Sequence, residues 1–78
     1  MSKLTREYSH ETMLGMAYLA RDRSGRWHIE CARESDGTWH TAAAALADLA
    51  GGRTGLPPEI GAELAAAVSP DLADWKRL

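Results

Sequence analysis

The stretch that decides the fold runs from residue 21 to residue 40 and reads RDRSGRWHIECARESDGTWH. It contains an echo, because Ser24-Gly25-Arg26-Trp27-His28 is followed twelve residues later by Asp36-Gly37-Thr38-Trp39-His40. Each copy is a small polar residue, a glycine, a variable residue, a tryptophan and a histidine, and the only cysteine, Cys31, lies between them. The echo indicates either a catalytic or metal site built from the two histidines and the cysteine, or two successive turns of a sheet.

The residues between the two copies alternate as a strand does. Trp27, Ile29 and Cys31 are predicted to face one side, with His28 and the other polar residues on the opposite side, because successive side chains of a strand point to opposite faces. The apolar run before the first copy, residues 13–21, is too short for a typical helix and predicts a preceding strand.

Turn chemistry sets the expected register of these strands. Asp22–Gly25 is typical of a hairpin turn that closes on a left-handed glycine, which places Leu19 opposite Ile29. Glu34–Gly37 repeats the same residue types, so we expect a second turn there and a short third strand from residue 38 to about 40. The same geometry then places Trp39 opposite Arg33, on the face that carries the first tryptophan of the echo.

The second half of the sequence predicts helices. Thr41 is a suitable N-cap for the alanine-rich segment 42–50, and Gly51 is expected to end that helix in the left-handed conformation. Pro57-Pro58 is typical of a helix start, since proline is tolerated in the first turn. Ser69-Pro70-Asp71 predicts a third helix, in which Leu72 and Trp75 face inward.

These elements together predict a single α+β domain over residues 1–78, with a three-stranded antiparallel β-meander followed by two to three short helices packed on one sheet face. Residues 1–11 are expected to be a flexible arm, residues 12–40 the meander and residues 41–78 the helical part. The face without helices should carry Leu14, Met16, Tyr18, His28 and Glu30.

Composition narrows the classes of function. The single cysteine allows no intramolecular disulfide, and the N-terminal sequence has no apolar signal segment, so we expect a cytoplasmic protein that does not enter the membrane. The net charge is −2, with a basic segment at residues 21–33 and an acidic half from residue 34 onward. This near balance leaves the class of partner open.

Neither catalysis nor cofactor binding is favoured by the residues present. His28 and Cys31 are three apart on a predicted strand and therefore point apart, whereas zinc ligands must converge. Ser9-His10-Glu11 contains the residue types of a catalytic triad, but adjacent residues in a flexible arm cannot hold its geometry. We therefore expect no enzyme activity, no metal and no cofactor.

A nucleic-acid interface is one of two remaining possibilities. Gly25–Glu30 followed by Trp39–Ala43 resembles in outline the small β-sheet DNA-binding domains at the N-termini of phage and transposon integrases. The resemblance covers about thirty residues, and it implies a DNA-binding β-hairpin between Arg21 and Arg33, with Arg23 and Arg26 as further phosphate contacts. Those domains are usually basic, and this chain is not.

A protein interface is the other possibility, and the one we favour from the sequence. In length, mild acidity, compact α+β layout and lack of catalytic motifs, the chain resembles the small phage-encoded inhibitors of the anti-CRISPR kind. The resemblance implies stoichiometric binding to a protein complex, such as a CRISPR effector, that blocks access of nucleic acid, with the inhibitor a monomer or homodimer. The candidate partner-binding residues are Met16, Tyr18, Arg23, Arg26, His28, Glu30, Asp48, Glu59 and Glu63.

Overall fold

A computed structural model describes residues 4–78 and shows an antiparallel sheet with two helices on one face. Its elements are β1 (Thr5–Thr12), β2 (Gly15–Arg21), β3 (Trp27–Cys31), β4 (Glu34–Trp39), α1 (Ala42–Ala50), α2 (Pro58–Ala67), one turn of 3-10 helix (Leu72–Asp74) and β5 (Lys76–Arg77). The strands within these residues lie in the order β4-β3-β2-β1-β5. The α+β class is thus confirmed, whereas the predicted three-stranded meander accounts for only part of a five-stranded sheet.

The hairpin between β2 and β3 forms as the sequence predicts. The Asp22 backbone N–H donates to the Arg26 carbonyl at 2.9 Å, and the Gly25 N–H donates to the Asp22 carbonyl at 3.0 Å. Gly25 has φ of 87°, the left-handed conformation expected at the end of this turn. Leu19 pairs with Ile29, so the predicted register of this hairpin is confirmed.

The second predicted turn is wrong in position. The chain reverses at Ala32 and Arg33, which have φ of 51° and 67°, and Cys31 pairs with Glu34 directly after them. Two consecutive positive φ values are those of a type I′ turn, which usually contains Asn or Gly, so neither residue type gave a signal for it. The third strand of the predicted meander therefore begins at Glu34, well before Thr38.

The second copy of the echo lies inside β4, where it forms an irregularity of the ladder. Ile29 pairs with Asp36 and Trp27 pairs with Trp39, so β4 contains one extra residue between these two pairs. The prediction that Trp39 lies opposite Arg33 is wrong. Because Trp39 instead faces Trp27 and both indoles pack against the core, the prediction that the two tryptophans share a face is confirmed.

Gly37 makes room for the second of these indoles. A Cβ atom at Gly37 would overlap the Trp39 ring and come within 2.9 Å of the Trp27 carbonyl oxygen. The backbone at Gly37 also has φ of 129°, which side chains strongly disfavour. The glycine of the second copy therefore allows the indole to fold back along its own strand.

The sequence predicts a loose N-terminal arm, and for the described residues this prediction is wrong. Residues 5–12 form β1, which lies inside the sheet between β2 and β5, with Tyr8 paired to Leu19 and Arg77. Ser9 is only 3% exposed. The sequence gave no apolar alternation here because the inward side of β1 carries Tyr8 and His10, which are amphipathic. Residues 1–3 of the predicted arm lie outside the described residues.

The helical part follows the prediction at its beginning and departs from it at its end. The Thr41 hydroxyl accepts from the Ala44 N–H at 3.0 Å, which confirms this residue as the N-cap of α1. Gly52, with φ of 72°, is the left-handed residue after α1, whereas the predicted Gly51 stays right-handed. The helix α2 begins at Pro58, as the proline pair indicates.

The predicted third helix is replaced by a single 3-10 turn and a short strand. Asp71 caps that turn through the Ala73 N–H, and the chain is then extended at Trp75. The Trp75 side chain is 5% exposed, and its indole N–H donates to the Ser69 carbonyl at 2.9 Å. Anchoring this ring in the core releases the last residues from helical geometry, so that Lys76–Arg77 pair with β1.

The core lies between the helices and one face of the sheet. Its fully buried large side chains are Leu19, Ile29, Leu46, Leu49 and Leu64. Cys31 belongs to the same cluster at 3% exposure, as expected of a small buried hydrophobe. No described helix packs against the opposite side of the sheet, which we call the open face.

Replacing Gly37 by alanine should destabilise the protein more than the same change at Gly25. Both glycines have positive φ, so each alanine costs about 1–2 kcal/mol of backbone strain. At Gly25 a Cβ meets nothing within 4 Å, whereas at Gly37 it collides with the Trp39 ring. We expect about 1–3 kcal/mol of further loss at Gly37 from overpacking.

Urea unfolding followed by tryptophan fluorescence measures this difference. Equal losses of the free energy of unfolding in the two variants would contradict the proposed packing of Trp39 over Gly37.

Candidate functional site

The open face is formed by every second residue of the strands, as their pairing shows. Lys76, Ser9, Tyr18 and Glu30 lie in one row across four strands, since each pairs with the next. The row on one side of it contains Arg6, Ala20 and His28. The row on the other side contains Glu11 and Met16. Met16, Tyr18, His28 and Glu30 therefore lie on the face to which the sequence assigned them, whereas Leu14 lies in the turn between β1 and β2.

Exposed apolar side chains are concentrated at this face and its margin. Met16 is 38% exposed on the face, and Leu78 follows β5 at 59%. The β1–β2 turn adds Met13, which is 97% exposed, and Leu14. Thr12 holds that turn, since its hydroxyl donates to the Gly15 carbonyl and accepts from the Leu14 N–H. The large exposed hydrophobic residues of the described chain thus border one surface.

Arg6 is held across the centre of the open face. Its guanidinium carbon lies 4.0 Å from the centre of the Tyr18 ring, and its Nε donates to Glu30 at 3.3 Å. Ala20 is fully buried although no helix covers it, because Arg6 and His28 are its neighbours on the adjacent strands. Sequence reasoning missed Arg6 because it assigned residues 1–11 to a flexible arm.

Two shallow grooves flank the Met16 and Tyr18 side chains. The larger, of about 490 Å³, is lined by Ser9, His10, Glu11, Met16, Tyr18, Asp74, Lys76 and Leu78. The smaller, of about 230 Å³, includes Arg6, Met16, Tyr18, Glu30, Arg33 and Glu34 among its lining residues. Met16 and Tyr18 line both grooves and therefore form a ridge between them. We refer to these two residues, together with Arg6 stacked on Tyr18, as the ridge.

His28 is engaged in holding its own hairpin. Its Nε2 lies 2.8 Å from an Asp22 carboxylate oxygen, while the other oxygen accepts from the Ser24 N–H, the Ser24 hydroxyl and the Arg26 N–H. The hydrogen bond from His28, followed by that from the Ser24 hydroxyl, holds the pKa of Asp22 well below its usual range. The Asp22–His28 pair thus stabilises the hairpin turn at the start of β3.

The four arginines of the proposed basic hairpin do not converge. Arg21 pairs with Glu7 at 2.6 Å, and Arg26 donates to the Thr38 carbonyl at 3.3 Å. Arg23 and Arg33 are exposed in the turns at opposite ends of β3. A five-residue strand spans about 17 Å, so these two side chains do not form one patch.

The two histidines and the cysteine of the echo do not form a common site either. Cys31 is buried under the helices, whereas His28 lies on the open face and His40 is exposed after β4. Among residues 4–78, no group of three His, Cys, Asp or Glu side chains has the arrangement of a metal site. The echo is therefore explained by the packing of its two tryptophans.

Asp48 is used inside the fold, although it was predicted to contact a partner. Its carboxylate accepts from the Trp39 indole N–H at 2.8 Å and from Arg53 Nε at 3.1 Å. The hydrogen bond from Trp39, followed by that from Arg53, lowers the pKa of Asp48. Glu59 and Glu63, by contrast, are exposed one helical turn apart on α2 and belong to none of the ion pairs of the described chain.

Comparison of the chain with protein-family models, with curated proteins and with solved structures finds no match. None of the helices within residues 4–78 is long and apolar enough to cross a membrane.

Acid should remove the stabilising effect of the Asp22 carboxylate. Because its pKa in the folded protein lies below that of the unfolded chain, the contribution is complete above about pH 4 and is lost as the pH falls further. We therefore expect Asp22→Asn to lower the urea midpoint at about pH 6, and the gap from the wild type to narrow at about pH 2.5. A gap of constant size would contradict this role. Glu63→Gln, on the exposed face of α2 beyond its first turn, is the control and should change the midpoint little at either pH.

Two substitutions at Asp48 separate its two contacts. Asp48→Asn keeps an oxygen that can accept from the Trp39 indole but loses the ion pair with Arg53, so it should lower the urea midpoint slightly. Asp48→Ala leaves the half-buried indole N–H without its acceptor and should lower the midpoint clearly more. Equal effects of the two variants would show that the indole hydrogen bond contributes nothing to stability.

Proposed function

We propose that this protein is a small non-catalytic binding protein that acts as a stoichiometric inhibitor of a nucleic-acid-handling protein complex, in the manner of anti-CRISPR proteins. The observation that carries the proposal is the open face, where Met16 and Tyr18 stand between two grooves, with Arg6 stacked on Tyr18 and no covering helix. An inhibitor of this kind acts where such complexes work, in the cytoplasm.

The residue types of the ridge support a protein as the partner. Methionine, tyrosine and arginine are enriched at the centres of protein interfaces, where a few such residues contribute most of the affinity. Met13 and Leu14 extend the apolar surface beyond the sheet and remain exposed in the described chain. Solvent-exposed apolar residues in one area favour a binding surface over a random distribution.

The size of the face indicates that a partner must contact more than the sheet. Five strands spaced about 4.8 Å apart and up to eight residues long provide an area on the order of 500 Å². Stable complexes bury about 800 Å² on each partner. The β1–β2 turn with Met13 and Leu14 is the nearest apolar surface that can supply the difference.

The charge distribution supports the blocking of nucleic acid. Residues 34–78 contain seven acidic and three basic residues, a balance of −4. Glu59 and Glu63 are exposed on α2 without an ion pair among the described residues. Carboxylates on such a helix complement a basic groove that otherwise binds phosphates.

Direct DNA binding by the hairpin between Arg21 and Arg33 is the alternative function, and the geometry supports it less. Arg21 and Arg26 are engaged within the fold, which leaves Arg23 and Arg33 too far apart for a continuous phosphate-binding patch. Affinity for DNA depends on several simultaneous phosphate contacts. This alternative also predicts that binding weakens steeply with salt and is lost in the double variant Arg23→Glu, Arg26→Glu.

A phage plaque assay tests the proposed function. The protein is expressed in a panel of bacterial strains whose CRISPR effectors of different types restrict a targeted phage. We expect plaquing to be restored in at least one strain. Tyr18→Ala should reduce that restoration, because loss of a central interface aromatic typically costs about 2 kcal/mol of binding free energy or more. Glu59→Lys with Glu63→Lys should also weaken it.

Matched measurements complete this test. Arg53→Gln is the control, since Arg53 follows α1 and is not part of the ridge, and it should restore plaquing as the wild type does. The purified protein should not bind a labelled DNA duplex even at low salt. Unchanged plaquing in every strain contradicts the inhibitor proposal, and salt-sensitive binding to the duplex would favour the alternative.

A further inference from the structure

We propose that Arg6 is the anchor of the open face and that it binds a carboxylate of the partner protein, an aspartate or glutamate next to an aliphatic side chain. This inference rests on the proposed function only in taking the partner to be a protein. It adds the chemistry that the partner must present and the atoms that recognise it.

The Arg6 side chain is already held in place by Tyr18 and Glu30 in the protein without a ligand. Its guanidinium stacks on Tyr18 at 4.0 Å from the ring centre, and its Nε is bonded to Glu30 at 3.3 Å. An arginine loses considerable rotamer freedom when a ligand fixes it, and the ordering of a side chain opposes binding. Here much of that ordering takes place in the free protein, so the side chain is prepared for a ligand.

Arg6 also has hydrogen-bond donors that remain available to a ligand. Among residues 4–78 the hydrogen bond and the ion pair of Arg6 are both made by Nε, and its side chain is 54% exposed. The two Nη atoms therefore retain their N–H groups at the edge of the guanidinium away from that bond. Two parallel N–H donors match the two oxygens of a carboxylate, which is the geometry of a bidentate pair.

The larger groove of the open face lies next to the Tyr18 ring on which Arg6 stacks. Tyr18, on which the guanidinium stacks, also lines the groove of about 490 Å³ that contains Met16 and Leu78. A ligand whose carboxylate reaches Arg6 therefore brings its neighbouring residues over a groove whose apolar lining includes Met16 and Leu78. An aliphatic side chain there would bury apolar surface against Met16 and Leu78, which favours binding.

The acidic residues of this face favour a protein over a nucleic acid. Glu30 borders Arg6, while Glu11 and Asp74 line the larger groove. A nucleic-acid backbone carries one charge per nucleotide and would meet these carboxylates along its path, which is repulsive. A single carboxylate at the Nη edge of Arg6, followed by an uncharged aliphatic residue, places no second negative charge beside them.

Selection of peptides on the isolated protein tests this inference without any CRISPR effector. A phage-displayed library of random dodecapeptides is selected on immobilised full-length protein, and the enriched peptides are synthesised and titrated by fluorescence anisotropy. We expect enrichment of Asp or Glu within two positions of Leu, Ile or Val. We further expect Arg6→Gln to weaken binding by about tenfold or more, the effect of losing about 1.4 kcal/mol at a binding hot spot.

Two variants make the result specific. Arg6→Lys keeps the charge but loses the planar pair of donors, so it should also weaken binding. Arg53→Gln, which removes an exposed arginine that follows α1 and is not part of the ridge, should bind as the wild type does. Thermal melting establishes that each variant is folded, and if Arg6→Gln does not fold, Arg6→Lys serves as the test variant.

The outcomes separate this inference from the proposed function. Enriched peptides without a carboxylate, equal affinity of wild type and both Arg6 variants, absence of any enriched peptide, or Arg6-dependent binding of a labelled DNA duplex would each overturn it. If Arg6-dependent acidic peptides are selected while plaquing stays restricted, the anchor stands and the inhibitor proposal fails.

Discussion

The hydrogen bond from the Trp39 indole to the Asp48 carboxylate joins the edge of the sheet to the first helix. The indole reaches that carboxylate because Gly37 leaves space for it, and the carboxylate is oriented in turn by Arg53 after the helix. A second link lies nearby, since the Gly55 N–H donates to Asp36 at 2.6 Å. Both hydrogen bonds connect β4, the edge strand, to the helical part of the chain on the same side of the sheet. The opposite side is therefore left open.

A chain of this length has enough helix to cover one side of its sheet. Small domains bury only about 60% of the surface of their unfolded chain, so each helix contributes much of the core. Leu46 and Leu49 of α1 and Leu64 of α2 complete the core over the inward side chains. The other side relies on an arginine and a histidine to shield Ala20, which Arg6 and His28 flank. The same side chains that protect the sheet are therefore those exposed to a partner.

Local sequence chemistry was sufficient to predict the structure wherever one residue type determines one backbone conformation. The Asp22–Gly25 hairpin, the Thr41 cap and the Pro58 helix start follow from such rules. The turn at Ala32 and Arg33 has no residue suited to positive φ, and it forms because the pairing on both sides compensates for the strain. Met16 and Tyr18 were assigned to the correct face by alternation. Arg6 was missed since a polar strand such as β1 is recognised only from the partners that enclose it.

The irregular edge of the sheet has a consequence for the behaviour of the protein at high concentration. An exposed, regular edge strand is a template on which further chains add and grow into fibres. The misaligned pairing in β4 interrupts that template midway, and at the other edge β5 is only two residues long. The irregular β4 and the two-residue β5 are therefore poor templates for the ordered addition of further copies of the chain.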